Sequence, residues 1–248
     1  MRTKVYFITD AHLGSGADSR QREQELCQFL DSIAEEVESL VLLGDLFDFW
    51  FSYHWVVPRG HVRLLGKLAQ LSDQGVKIHY FIGNHDMWMF DYLEKEIGCT
   101  MYDDPAVLTF GDKRFLLGHG DGLGHLDRHY DFLRRIFRSR VNQCLFSLLP
   151  ERLTFGIATR WSDSSKDKHD PENLQFLGEE REGIVLYCKE RLQHEEIDYC
   201  VFGHRHTPVV HNLESSIYVN VGDWFLHRNY ACFDGQQLTL NDYTPCTK

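Results

Sequence analysis

The sequence predicts an α/β fold, two packed β-sheets flanked by helices, with a helical insertion in its second half. Three observations predict it. The first third alternates short apolar runs with helix-periodic segments, the pattern of parallel strands joined by crossover helices. The end of the chain returns to closely spaced strand-like runs. Between them, residues 122–195 show three or four helical patterns and little strand signal.

Each element has a local reason. "KVYFITD" (4–10) reads as a buried strand. "QREQELCQFLDSIAEEV" (21–37) spaces Leu26, Phe29, Leu30, Ile33 and Val37 along one helical face. "LVLLGD" (40–45) is a second apolar strand. Residues 58–73 form a helix opened by Pro58 and closed by Gly75, and "VKIHYFIGN" (76–84) is a third strand. Strands at 106–110 and 114–121 flank the Gly111-Asp112 turn. After the helical stretch, "IDYCVFGHRHTP" (197–208) runs from a strand into a loop, and strand-like runs follow at 209–213, 216–221, 230–233 and 237–241. The expected organisation is one domain over residues 1–248, with 122–178 as a helical cap insertion.

Composition excludes several classes. The chain has 248 residues, of which 43% are hydrophobic and 25% charged, enough for a sizeable core and unlike a disordered chain. A net charge of −11 argues against binding nucleic acid through bulk charge, and equally suits ordinary solubility. The opening residues lack the charged start, apolar stretch and cleavage site of an export signal, and no run reaches the roughly 18 apolar residues of a membrane span. Seven scattered cysteines without a C-x-x-C pair read as reduced packing residues. A cytoplasmic protein is expected.

The chemistry collects where the strands end. Asp10-Ala11-His12 follows the first strand and Gly44-Asp45 the second. Gly83-Asn84-His85-Asp86 follows the third. Gly118-His119-Gly120-Asp121 and Gly203-His204-Arg205-His206 follow two later ones. Ligands of α/β sheets bind beyond the carboxyl ends of strands. A single Asp or Asn there is ordinarily a turn or capping residue, and one Gly-Asp means little. Five such blocks together are specific. Two aspartates, one asparagine and four histidines exceed the ligands of one tetrahedral ion, so two divalent ions are expected. Asp10, His12 and His206 would hold one, and Asn84, His119 and His204 the other, with Asp45 bridging. Mixed oxygen and nitrogen donors without cysteine suit manganese, iron or zinc, with Mn2+ placed first.

The blocks D-x-H, G-D, G-N-H, G-H and G-H-x-H resemble those of the calcineurin-like metallophosphoesterases, over nearly the whole chain. The resemblance implies an α/β/β/α metallophosphoesterase sandwich and hydrolysis of phosphate esters or anhydrides at a dimetal site. It implies that His85 is catalytic, meeting the substrate phosphate, with Asp45 at the reacting centre. Asp48 and Asp121 would orient metal-bound histidines, and Asp86 would satisfy loop backbone or orient His85.

"TDAHLG", "LGDLFDFW", "FIGNHD", "LGHGDGLGHLDRHY" and "FGHRHTPVVH" are further similar to the UDP-2,3-diacylglucosamine hydrolases of lipid A synthesis, as is "RWSDSSK" (160–166) in the insertion. This implies a UDP-linked acylated glucosamine substrate, with contacts from His85, Asp127, Tyr130, Arg160 and Lys166, and Trp50 lining the apolar part of the pocket. The resemblance departs at His85, where that subfamily carries arginine. Arginine offers a permanent fork of donors, whereas histidine can also give a proton. Other phosphoester substrates and a non-catalytic scaffold are the alternatives, and the complete ligand set argues against the scaffold.

The insertion interleaves Arg128, Arg134, Arg135, Arg138 and Arg140 with Tyr130, Phe132, Leu133, Ile136 and Phe137, ahead of the apolar "CLFSLLPERLTFGI" (144–157). Alone this reads as a solvated arginine face over a core. With the resemblance it reads as contact with acyl chains or an anionic membrane, on the inner face of the bacterial inner membrane.

Overall fold

The computed structural model describes residues 2–125, 136–150, 153, 154, 156 and 175–245. The described strands form two sheets. In the first, β1 (Lys4–Ile8), β2 (Val37–Leu42), β3 (Lys77–Phe81) and β4 (Thr100–Tyr102) run parallel, and β10 (Asn229–Phe233) and β11 (Leu238–Asp242) extend the other edge antiparallel. In the second, the order is β5 (Ala106–Phe110), β6 (Lys113–Gly118), β7 (Tyr199–Phe202), β9 (Ser216–Asn220), β8 (Val209–Leu213), with β6, β7 and β9 parallel.

Side-chain alternation along the strands sorts the core into three apolar interfaces. Tyr6 and Ile8 of β1 face α1 (Ser19–Ile33) and α2 (Val62–Asp73), meeting Leu26, Leu30 and Leu68. Val5 and Phe7 face the second sheet and meet Phe110, Phe115 and Val201. Phe7 is fully buried and stacks on Phe115 at 5.7 Å between ring centroids. Burying one such ring contributes about 1.5–3 kcal/mol. Leu116, Cys200 and Phe202 face outward from the second sheet onto Ile184, Val185 and Cys188 of α5 (Gly183–Leu192). The layers are therefore helix, sheet, sheet, helix, as the sequence predicts.

Boundaries differ in places. The first helix ends at Ile33, residues 34–36 turn, and β2 starts at Val37, which pairs with Lys4. Helix α2 starts at Val62, four residues after Pro58, because His61 sits at φ 58° and interrupts the turn before it. A six-residue helix, α3 (Tyr92–Ile97), follows where the chain reads as helical again after Trp88, while β4 was not foreseen: three residues carry too little periodicity. Within residues 122–178, α4 (Arg140–Ser147) packs Phe146 against Trp88 at 4.6 Å and Phe51 at 5.2 Å. Its other flank leaves Val141, Leu145 and Leu148 exposed.

Candidate metal centre

Parallel strands share a direction, so the loops after β1, β2 and β3 open at one edge of the first sheet, and those after β6 and β7 meet them from the second. Backbone bonds lock them together: Asp10 N donates to Gly44 O at 3.1 Å, His12 N to Asp45 O at 3.0 Å, and Gly203 N to His119 O at 2.9 Å. Among the described residues, eight other than glycine have positive φ, and five of them are Asp10, His12, Asp45, His204 and His206. Such backbone is strained for L-residues and persists only where the surroundings enforce it. The chain accepts that strain where it places donor atoms.

The donors converge as two sets. In the first, His12 Nε2 and His206 Nε2 face each other at 3.3 Å, with Asp10 Oδ1 3.3 Å from His206 Nε2 and 3.7 Å from His12 Nε2. In the second, His119 Nε2 lies 3.1 Å from Asn84 Oδ1, 3.2 Å from Asp45 Oδ2 and 3.2 Å from His204 Nδ1. Asp45 Oδ2 is also 4.0 Å from His12 Nε2, so this carboxylate reaches both sets, while its Oδ1 accepts His85 N at 2.8 Å. Ligands about 2.1 Å from one ion stand about 3.0–3.4 Å apart, so these separations suit metal coordination. Asp10 gives a second sign. Its Oδ2 accepts Thr9 Oγ1 and His204 N, while buried Oδ1 has no hydrogen-bond donor among the described residues and points at the two facing imidazoles. A buried carboxylate oxygen so placed asks for a cation. The residues present fit two divalent ions.

The electrostatics agree. Burial works to raise the Asp10 carboxyl, yet the imidazoles of His206 and His119 hold it well below the usual carboxylate range. Asp45 is likewise depressed against its burial, by His119 and His85. Burial opposes charge on His206, but Asp10 and Asp223 push it up to about 10. Burial and the neighbouring His119 bring His204 down to about 4. The carboxylates thus impose a field that favours positive charge between the loops.

Supporting groups surround the donors. Asp48 Oδ1 is 3.5 Å from His12 Nδ1 and 3.8 Å from His85 Nδ1, and the Asp48 carbonyl oxygen is 3.0 Å from His85 Nδ1. The charge of Asp121 acts on both His119 and His204. Asp86 is fully buried and accepts Leu46 N at 2.9 Å, Gly83 N at 2.9 Å and the Tyr80 hydroxyl at 2.5 Å, which ties the loops after β2 and β3 together. Asp86 therefore satisfies backbone. His85 lies edge-on to His12, 4.7 Å between centroids. One of its ring nitrogens also approaches His12 and Asp45 closely enough to form a third possible donor group.

One expectation is corrected. Among the described residues Trp50 belongs to the core and not to a surface: it is fully buried under α2, 4.6 Å from Phe47 and 5.7 Å from Tyr92, with Nε1 donating to Ser52 Oγ. The apolar run around it supplies core on one side only, and Phe49 and Phe51 turn toward α4 instead. Asp127, Tyr130, Arg160 and Lys166 lie outside the described residues, as do Arg128, Arg134 and Arg135. Asp223 was missed. It is fully buried, 3.6 Å from His206 Nδ1, and follows a strand as Gly222-Asp223, the same weak signal as Gly44-Asp45.

Comparison with known proteins adds the following. Residues 3–208 match the calcineurin-like phosphoesterase family. A UDP-2,3-diacylglucosamine hydrolase of Porphyromonas gingivalis is 39% identical over 257 positions, covering 97% of each chain. The proteins of that name from Edwardsiella ictaluri and Haemophilus influenzae are 30% and 29% identical, covering 94% and 91% of this chain and 90% and 92% of theirs.

Proposed function

The chain belongs to the calcineurin-like phosphoesterase family, and from that premise we propose that it hydrolyses the pyrophosphate of UDP-2,3-diacylglucosamine to UMP and 2,3-diacylglucosamine 1-phosphate. The reading is carried by Asp45, whose Oδ2 faces both donor sets. Asp10, His12 and His206 would hold one divalent ion and Asn84, His119 and His204 the other, with Asp45 available to both, and manganese is the metal we assign. When bound, the ions lower the pKa of a water and neutralise charge building on the phosphoryl oxygens.

The protein's own groups do the rest. His85 is not a ligand in this reading. Its Nδ1–H donates to the Asp48 carbonyl, so it is the imidazolium form that carries a second proton, on Nε2, to meet a phosphate oxygen or protonate the leaving group. Hydrolysis at the uridine-side phosphorus makes the acyl-sugar phosphate the leaving group. Asp127, Tyr130, Arg160 and Lys166 contact substrate from the insertion (122–178), with the two cations stabilising the departing phosphate.

The exposed flank of α4 supports a lipid substrate. Val141, Leu145 and Leu148 are 68%, 59% and 75% exposed, and Trp55 is 88% exposed. Tyr53 OH and Thr154 Oγ1, 2.7 Å apart, tie the Trp55 loop to the insertion. Apolar side chains left in water beside basic ones suit acyl chains and an anionic membrane face. No helix among the described residues is long and apolar enough to cross a membrane, and the reading places the protein on the cytoplasmic face. The test is incubation of manganese-loaded protein with UDP-2,3-diacylglucosamine and mass spectrometry of the products. UMP and the acylated sugar phosphate are expected, and an intact substrate overturns the assignment.

A further inference from the structure

The geometry points to Asp223 as the positioning residue for one half of the metal centre: it fixes His206 for the ion shared by Asp10, His12 and His206, and leaves the ligands of the other ion alone. This rests on the two-metal reading above.

Asp223 Oδ2 faces His206 Nδ1 at 3.6 Å, while the opposite ring nitrogen, Nε2, faces Asp10 Oδ1 and His12 Nε2. A hydrogen on Nδ1 directed at the carboxylate makes Nε2 the donor atom, fixes the ring plane and raises its basicity. The carboxylate itself is fixed. Oδ1 accepts the backbone N–H groups of Leu226 and His227, and Oδ2 lies 2.8 Å from His227 Nδ1.

The segment beyond Asp223 braces the other two ligands of that ion, Asp10 and His12. Trp224 N and Phe225 N both donate to Asp10 O, at 3.2 and 3.1 Å. The Phe225 ring meets the His12 ring edge-on at 5.9 Å, and the Arg22 guanidinium covers its face at 4.3 Å. Asn220 anchors the start of the segment, accepting Gly222 N at 3.0 Å and donating to Gly203 O at 2.7 Å. The second donor set is supported differently: His119 Nδ1 faces the Leu43 carbonyl at 2.8 Å, a neutral acceptor. Loss of the Asp223 charge therefore acts on one ion.

Asp223→Asn tests this, because asparagine keeps an acceptor for the Leu226 and His227 N–H groups and removes the charge facing His206. Metal-free protein is titrated with Mn2+ and the bound ions are counted after dialysis. The wild type should bind two ions. The variant should keep one at wild-type affinity and bind the other about 10–100-fold more weakly. Electron paramagnetic resonance should change from a coupled manganese pair to an isolated ion. Two ions at wild-type affinity, or equal weakening of both, overturns the role of Asp223. A wild-type chain that binds fewer than two ions removes the two-metal reading itself, and this inference with it. If the variant fails to fold, 15N NMR of zinc-loaded wild type decides: the His206 proton is expected on Nδ1, and a proton on Nε2 overturns the assignment.

Discussion

His85 and Asp48 are locked across two loops: His85 Nδ1 lies 3.0 Å from the Asp48 carbonyl oxygen and 3.8 Å from its carboxylate Oδ1. The pair fixes the His85 ring through its Nδ1. Burial pushes the His85 imidazole down, and the charges of Asp45 and Asp48 pull the other way.

His85→Ala should therefore keep both ions and lose rate by about 10²–10⁴-fold, as loss of a general acid or of electrostatic stabilisation does. Metal content and turnover measured on the same sample check it. Loss of an ion would make His85 a ligand and support the third donor group.

Asp45→Asn should lower metal occupancy at both sites and reduce turnover to background. Amide substitution keeps the acceptor for His85 N but removes the charge that both sets face. Elemental analysis showing two ions per chain in this variant contradicts the bridging role.

Gly203→Ala should abolish metal binding, whereas Gly66→Ala should not. A Cβ at Gly203 runs into Thr9 Oγ1 and comes to 2.6 Å from Asp10 Oδ2; one at Gly66 meets nothing within 4 Å. Gly66 lies inside α2, so alanine there should stabilise by about 0.5–1 kcal/mol. Metal titration and thermal unfolding of the two variants separate the effects.

Stability should fall as pH drops through about 6.5, in part through His61. Burial lowers the folded-state pKa of His61, with Glu23 opposing. The unfolded chain then takes up the proton first as pH falls, which favours unfolding; above the unfolded-state pKa the residue contributes nothing. His61→Asn keeps a residue that tolerates the positive φ at this N-cap and removes the titration. Melting temperatures in chelator at pH 8 and pH 5.5 should lie closer together in the variant. An unchanged gap refutes the contribution.

Reaction in ¹⁸O-water should place the label in UMP, as attack at the uridine-side phosphorus requires. Label in the acyl-sugar phosphate would move the attack to the other phosphorus.

The sequence made the candidate donors legible because each follows an apolar strand that ends at a sharp turn, so two independent signals coincide at Asp10, Asp45, Asn84, His119 and His204. Asp223 lacked such company. Its Gly-Asp step is common in turns, and only the packing of β9 against β7 brings it behind His206. Trp50 was misplaced for a related reason. An aromatic run tells that surface is buried but not beneath which layer, and tertiary packing assigned it to the helix-side core. β4 is held by contacts with β3 and not by a pattern of its own.

Three of the donor loops hang from one sheet and two from the other, so the centre sits astride the seam between them. Its ions are rivets as well as reagents. Donors from Asp10 to His206 span most of the chain, and those of the first sheet face those of the second across the seam packed by Phe7, Phe115 and Val201. Loading should therefore raise the melting temperature with the concentration of free metal. A mutation deep in that seam, far from any phosphate, would be felt first as a loosened ion.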